Sequence, residues 1–203
     1  MAGTLTIEGL APDSAVLVSG PPMTGKYELM LRLLAENVDA AVFVTTKNGA
    51  DELRSDFRSH ADVAEDEVGV VDCVTPAESR ADPDGPATEY VGSPSNLTAI
   101  GVAFTDLFSA FDGRHDRVGV GVHSVSGLLM HNDLKGVYQF LQVLAGQARS
   151  AGWFNASVVD ASVAEDGEMI QHHFDGVIET RTDGEREFRA RGLTPTASEW
   201  RPF

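Results

Sequence analysis

The stretch Ala15-Val-Leu-Val-Ser-Gly-Pro-Pro-Met-Thr-Gly-Lys26 decides the fold that the sequence predicts. It begins with a short β-branched and apolar run that suits a buried strand, and residues 27–36 behind it have apolar side chains at helical spacing. Between strand and helix lies a G-x-x-x-x-G-K pattern. Its glycines let the backbone curl so that N–H groups face an anion, and its lysine adds a positive charge at the start of the helix. This arrangement predicts a phosphate-binding loop made of Gly20, Pro21, Pro22, Met23, Thr24, Gly25 and Lys26.

The rest of the chain alternates short apolar runs with helical segments, which is typical of an α/β fold with parallel strands. We predict further strands at residues 41–45, 68–72, 118–122 and 157–160. Helices are predicted at residues 50–57, 96–111 and 133–151, with Ser95 as the N-cap of the second. Residues 75–95, rich in proline, glycine and polar side chains, are predicted to form a long loop. Strands at 176–181 and 185–191 form a C-terminal β-hairpin that turns at Asp183-Gly184, and no linker divides residues 1–203, which we interpret as one domain.

The charge is strongly acidic, with 31 Asp and Glu against 15 Lys and Arg, for a formal net charge of -16. Lysine is rare, since only Lys26, Lys47 and Lys135 occur. Such a surface suits concentrated salt, where repulsion between carboxylates is screened, so we interpret the chain as halophilic; an ordinary acidic protein is the alternative. The absence of a basic patch argues against nucleic acid and anionic membranes as partners.

Targeting and cysteine patterns point to the cytoplasm. No apolar run reaches the roughly 18 residues of a membrane span, and the first ten residues lack the pattern of a signal peptide. Cys73 is the single cysteine, which excludes an internal disulfide, and its apolar surroundings predict a buried thiol.

The chain resembles the RecA-like ATPases of the KaiC type, and more narrowly their short single-domain versions in haloarchaea. The resemblance lies in residues 16–26, Val42-Phe-Val-Thr-Thr46, residues 92–101, residues 117–129 and Phe174-Asp-Gly-Val-Ile-Glu179. It implies a RecA-like P-loop NTPase core with a twisted, mostly parallel sheet flanked by helices. It also implies ATP or a related nucleotide at the carboxyl ends of the strands, and assembly as a homo-oligomer or with a partner protein.

Three positions depart from the pattern of active members. Tyr27 replaces the Ser or Thr whose hydroxyl binds Mg²⁺. Lys47, in Thr45-Thr46-Lys47-Asn48, follows the second strand where active members have an acidic residue that polarises water. His123 and Ser124 occupy the Walker-B position, and a neutral imidazole is a poor ligand for Mg²⁺. We therefore expect no metal site and no catalytic residues.

These departures lead to a hypothesis of a pseudo-ATPase, a nucleotide-binding regulatory or assembly protein in which Lys47 adds a second cation. Losing a general base alone costs about 10² to 10⁴ in rate. Two alternatives remain open. One is an active ATP hydrolase with rewired metal ligands, using Asp160 or a neighbour's carboxylate, and the other is a structural or interaction protein whose loop is a relic.

Other polar clusters have simpler interpretations. We read His172 and His173 as a surface pair, because adjacent residues on a strand point to opposite faces and chelate poorly. The hairpin arginines are expected to pair with surface acids, although one of them could instead reach a neighbour's nucleotide; they are Arg181, Arg186, Arg189 and Arg191. We expect Trp153, Trp200 and Phe203 to pack or to dock the C-terminal tail.

Overall fold

A computed structural model describes residues 5–76, 87–161 and 170–203. The helices in these ranges are α1 Lys26–Asn37, α2 Ala50–Arg58, α3 Leu97–Phe111, α4 Val125–His131 and α5 Leu134–Ser150. The strands are β1 Ala15–Gly20, β2 Ala40–Thr45, β3 Val68–Asp72, β4 Thr88–Tyr90, β5 Val118–His123, β6 Phe154–Asp160, β7 Gly176–Asp183, β8 Glu185–Arg191 and β9 Arg201–Pro202. A short 3₁₀ turn, Glu65–Glu67, precedes β3.

These strands form one sheet in the order β4-β3-β2-β5-β6-β1-β7-β8-β9. Strands β1 to β7 run parallel, and β8 and β9 continue the sheet antiparallel. Strand β6 lies between β5 and β1, so the carboxyl ends of β2, β5, β6 and β1 follow one another along one edge. The loops after these strands therefore meet there, as is general for open α/β sheets.

Apolar cores cover both faces of the central part of the sheet, so the strands β1, β2, β3, β5 and β6 are buried almost throughout. Along β2, Val42 and Val44 contact the core formed with α3, α4 and α5, whereas Ala41 and Phe43 contact the core formed with α1 and α2. This alternation follows from the two-residue period of a strand. The ring of Phe43 meets Phe57 of α2 edge to face, with centroids 5.1 Å apart.

Two glycines in β5 let α1 pack closely on the sheet. A Cβ at Gly119 would lie 2.7 Å from Leu34 Cδ2, and a Cβ at Gly121 would lie 2.4 Å from Phe43 Cδ1. The alternating Val-Gly-Val-Gly-Val pattern thus fills one face of β5 with valine and leaves the other face open to α1 and Phe43.

Most predicted elements agree with the structure to within one or two residues, and the hairpin turn at Gly184 is confirmed, with a φ of 78°. The predicted N-cap of α3 was wrong. Asn96, not Ser95, is the cap, and its side chain accepts a hydrogen bond from the Ala99 N–H at 3.0 Å, while Ser95 pairs with Ser93. Strand β6 also begins three residues earlier than predicted, at Phe154.

The short elements α4, β4 and β9 and the 3₁₀ turn Glu65–Glu67 were not predicted. Strand β4 falls in the segment predicted as a long loop, and residues 77–86 of that segment lie outside the described residues. His172 and His173 lie in a turn before β7 and not on a strand, so the reason given for their poor chelation was wrong. Within the ranges that the structure covers, no helix combines the length and the apolar character required to cross a membrane.

Candidate functional site

The loop of residues 20–26 joins β1 to α1 and is called here the β1–α1 loop. Its backbone curls through two left-handed residues, Met23 with a φ of 64° and Gly25 with a φ of 82°. Gly25 is the N-cap of α1, and no side chain caps the helix. Since the first N–H groups of a helix have no partner within it, these donors and the positive end of the helix dipole suit an anion. Pro21 and Pro22 lack an N–H, so the donors begin at Met23.

Contacts with β7 hold this loop in shape. The Thr24 hydroxyl lies 2.6 Å from the Thr180 hydroxyl and donates to the Pro21 carbonyl at 2.8 Å. A Cβ at Gly20 would lie only 2.2 Å from Thr180 Oγ1, so only glycine allows β7 to approach here. Thr24 therefore contributes to the loop's shape through its side chain.

Two lysines converge on one carboxylate beside the loop. Lys26 Nζ lies 2.9 Å from Asp160 Oδ1, and Lys47 Nζ lies 3.5 Å from Asp160 Oδ2. The Lys26 side chain is only 6% exposed and also donates to the Pro21 carbonyl, whereas that of Lys47 is 47% exposed. Burial would raise the pKa of Asp160, but the two ammonium groups outweigh it and hold this pKa below the ordinary value. The carboxylate is therefore ionised and paired at neutral pH.

Asp160 is positioned by the strand order. It ends β6, which pairs with β1 in the register Gly20↔Asp160, and its N–H donates to Ser126 Oγ of α4 at 2.7 Å. The strand order thus places Asp160 beside the β1–α1 loop.

Two aromatic rings form the wall of the site nearest α2. The rings of Tyr27 and His123 stack with centroids 4.1 Å apart and an interplanar angle of 19°. The Tyr27 hydroxyl donates to Asp56 Oδ2 at 2.9 Å, and burial together with Asp56 raises the pKa of this phenol far above its ordinary value. Burial and the charge of Lys47 lower the pKa of His123 to about 4, against the opposing effect of Asp160. Both rings are therefore neutral at neutral pH.

Tyr27, His123 and Ser124 do not supply the ligands that Mg²⁺ prefers. The ion prefers hard oxygen ligands, usually carboxylates and hydroxyls around an octahedron. Here the phenol oxygen is committed to Asp56, and the imidazole Nδ1 of His123 is buried with no hydrogen-bond partner. Ser124 is buried and caps α4, accepting from the Gly127 N–H at 3.2 Å.

The site opens to solvent as a depression of about 500 Å³. Its rim includes the exposed Met23, and its lining includes Lys26, Lys47, His123 and Asp160. The C-terminal hairpin forms the opposite side. Arg186 pairs with Glu28 at 2.6 Å, and a Cβ at Gly25 would lie 2.9 Å from Arg186 Cδ and 3.0 Å from Phe203 Cζ.

The geometry brings together most residues selected from the sequence and adds several that were missed. The predicted residues that line the depression are Pro22, Met23, Gly25, Lys26, Tyr27, Lys47 and His123, whereas Gly20, Pro21, Thr24 and Ser124 do not line it. Asp56, Ser126 and Thr180 support the site through side chains, yet each lies far in sequence from the residue it holds. No local pattern could have identified them.

The remaining candidates take part in ion pairs and ring contacts. The hairpin arginines pair with acids, as expected, in the ion pairs Arg181–Glu187, Arg186–Glu28, Arg189–Glu179 and Arg191–Glu179. Two guanidinium groups lie over the Trp200 ring. The Cζ atoms of Arg181 and Arg189 are 4.3 and 4.7 Å from the ring centroid. The His173 ring packs on Tyr138 with centroids 4.0 Å apart. Across the described ranges, no group of three or more metal-ligating side chains forms a site.

Comparisons with known proteins support the fold and identify the family. The KaiC-like protein PH0186 from the hyperthermophilic archaeon Pyrococcus horikoshii OT3 is similar in structure, with a TM-score of 0.58 and 17% sequence identity over 88% of this chain and 78% of that chain. At this identity the similarity concerns the fold, and it confirms the predicted RecA-like α/β architecture. No curated protein matches the sequence. The model of DUF7504, a family of unknown function, matches residues 14–180, so the chain belongs to the DUF7504 family.

Proposed function

We propose that the protein binds a nucleoside polyphosphate at the β1–α1 loop without Mg²⁺, and that it hydrolyses this ligand very slowly or not at all. It would then act as a nucleotide-binding regulatory or assembly protein. The observation that supports this most directly is the convergence of Lys26 and Lys47 on one point beside the loop.

The charge of the site favours an anion. Three cations, Lys26, Lys47 and Arg186, line the depression against two carboxylates, Asp160 and Glu28. This local excess of positive charge occurs in a chain whose net charge is -16. Phosphate transfer and binding sites depend on neutralising phosphate charge, and a second lysine supplies part of the neutralisation that a metal usually provides.

Hydrolysis would require a base, and the nearby carboxylates are committed elsewhere. Lys47 follows β2 at the position where active relatives of this fold have an acidic residue. Asp72, at the end of neighbouring β3, is fully buried and accepts hydrogen bonds from three backbone N–H groups, those of Ala50, Val74 and Thr75. Asp160 has a lowered pKa beside two ammonium groups, which makes its carboxylate a weak base. Without a base or a metal, a bound nucleotide would remain intact.

Thermal shift with ATP, ADP and GTP in molar KCl tests the binding. We expect stabilisation in EDTA, with no further gain from Mg²⁺. A ligand at one hundred times its Kd stabilises the native state by about 2.7 kcal/mol, which is roughly 5–10 °C for a chain of this size. Lys26→Ala should abolish the shift. Lys135→Ala is the matched control, since this third lysine is exposed on α5 and outside the depression. Absence of any shift in EDTA at millimolar nucleotide would contradict the proposal.

A phosphate-release assay separates the proposal from an active hydrolase. We expect no release above background with or without Mg²⁺. Turnover that requires Mg²⁺ and is lost in Lys26→Ala would instead establish the ATP hydrolase with rewired ligands.

A second candidate function is a structural or interaction protein with a relic loop. The observation in its favour is that Lys26 is nearly buried and already has two partners, Asp160 and the Pro21 carbonyl. In that case Lys26→Met would lower the free energy of unfolding while nucleotide had no effect on either protein.

A further inference from the structure

We propose that Asp160 is an internal anion that occupies the phosphate position, and that ligands bind by exchange with its carboxylate. Asp160 would then lower the affinity of the site for every anion, so that only a strongly charged group such as a terminal phosphoryl group binds. This inference rests on the proposed function, because it concerns the same site.

The carboxylate of Asp160 contacts the lysines as a phosphoryl group would. One oxygen, Oδ1, meets Lys26, and the other, Oδ2, meets Lys47. A terminal phosphoryl group likewise has several oxygens on one atom and can pair with two ammonium groups at once. The two ammonium groups already face a common anion, so a phosphate that replaced it would need no rearrangement of the loop.

Exchange requires movement of a side chain and not of the sheet. The backbone of Asp160 is fixed by its pairing with Gly20 and by the hydrogen bond to Ser126 Oγ. Its side chain is 22% exposed and borders the depression, and the Lys47 side chain is about half exposed. The carboxylate can therefore turn towards solvent while β6 stays in register with β1.

The balance of charge decides which ligands can bind. A ligand group with one negative charge gains no electrostatic advantage over Asp160, because one charge replaces another. A dianionic phosphoryl group interacts more strongly with both lysines and can displace the carboxylate. Asp160 thus excludes weakly charged anions from a site that is otherwise cationic.

Removal of this charge gives a direct test by titration calorimetry without Mg²⁺. The probes are inorganic tripolyphosphate, ATP and the γ-phosphate methyl ester of ATP, whose terminal group has one charge less. We expect Asp160→Asn to bind tripolyphosphate and ATP about ten to a hundred times more tightly than wild type, as loss of one competing charged hydrogen bond would allow. We expect the ester of ATP to gain by a similar factor, because it must displace the same carboxylate, so Asp160→Asn should bind an anion that wild type excludes.

A control variant separates this effect from the general effect of removing one negative charge from the protein. Asp39→Asn is the matched variant, because Asp39 also pairs with a cation, Arg117, but lies before β2 at the opposite edge of the sheet. It should bind like wild type. Asp160→Ser, a smaller uncharged replacement, should give the same gain as Asp160→Asn and covers the case in which the amide variant does not fold.

The outcomes distinguish the two proposals. Equal or weaker binding by both Asp160 variants, with wild type binding ATP, would overturn the exchange and leave the proposed function intact. Binding by the variants alone would support the exchange and refute nucleotide binding by the natural protein. Absence of binding in all proteins would refute both.

Discussion

Replacing His123 with phenylalanine should remove a loss of stability that the wild-type protein undergoes as the pH falls from 7.5 to 5. In the folded protein burial and Lys47 lower the pKa of His123 to about 4, from an ordinary value of 6.5. Above pH 6.5 the imidazole is mostly neutral in both the folded and the unfolded chain, so its titration has little effect on stability. Below it the unfolded chain binds a proton that the folded protein does not, so stability decreases down to about pH 4. Protonation of His123 in the unfolded chain therefore lowers the free energy of unfolding by about 2 kcal/mol between pH 7.5 and pH 5.

Urea unfolding in molar KCl at the two pH values measures this difference. His123→Phe retains an aromatic ring against Tyr27 but cannot titrate, so its loss of stability on acidification should be about 2 kcal/mol smaller than that of wild type. His60→Gln, which removes an exposed histidine, is the control and should follow wild type. The reasoning is refuted if His123→Phe and wild type lose the same free energy of unfolding within about 0.5 kcal/mol, the usual scatter of surface effects.

Two further substitutions test the packing described above. Gly20→Ala should lower the free energy of unfolding by about 1–3 kcal/mol, because the added Cβ would overlap Thr180. The control is Gly101→Ala in α3, where an added Cβ would have no atom within 4 Å, so this variant should be neutral or stabilising. Urea unfolding midpoints measure both. Asn96→Ala should lower the free energy of unfolding by about 1 kcal/mol, because α3 loses its N-cap. In the same assay Ser95→Ala should be nearly neutral. A larger loss for Ser95→Ala than for Asn96→Ala would contradict the assignment of Asn96 as the cap.

Strand positions were predictable because buried parallel strands have continuous apolar runs. Val68–Asp72, a strand of this kind, agrees with the predicted bounds at both ends. The antiparallel strand Glu185–Arg191 has no such run, yet it also agrees at both ends and follows the predicted turn at Asp183-Gly184. The start of β6 was missed because Asn155, a buried amide, interrupts its apolar pattern. Helix α4 was missed because it spans only seven residues and has a glycine near its centre.

The site was predictable only where a local pattern contained it. The β1–α1 loop was recognisable from its glycines and lysine, and Lys47 and His123 from their positions after strands. The pairing of Lys26 with Asp160 depends on which strands are neighbours, and sequence spacing does not contain that information. The orientation of Tyr27 depends on Asp56, a partner 29 residues away.

The position of β1 within the sheet has a consequence for the order of folding. Its neighbours are β6 and β7, so Ala15 pairs with Asn155, about 140 residues later. During translation at about 5–20 residues per second, β1 emerges on the order of ten seconds before either strand is available to pair with it. Contacts between such distant segments also form slowly because closing the intervening chain is entropically costly. The native geometry of the β1–α1 loop therefore depends on contacts that form late, and a nascent chain that ends before Phe154 lacks both Asp160 and Thr180, two residues that contact this loop.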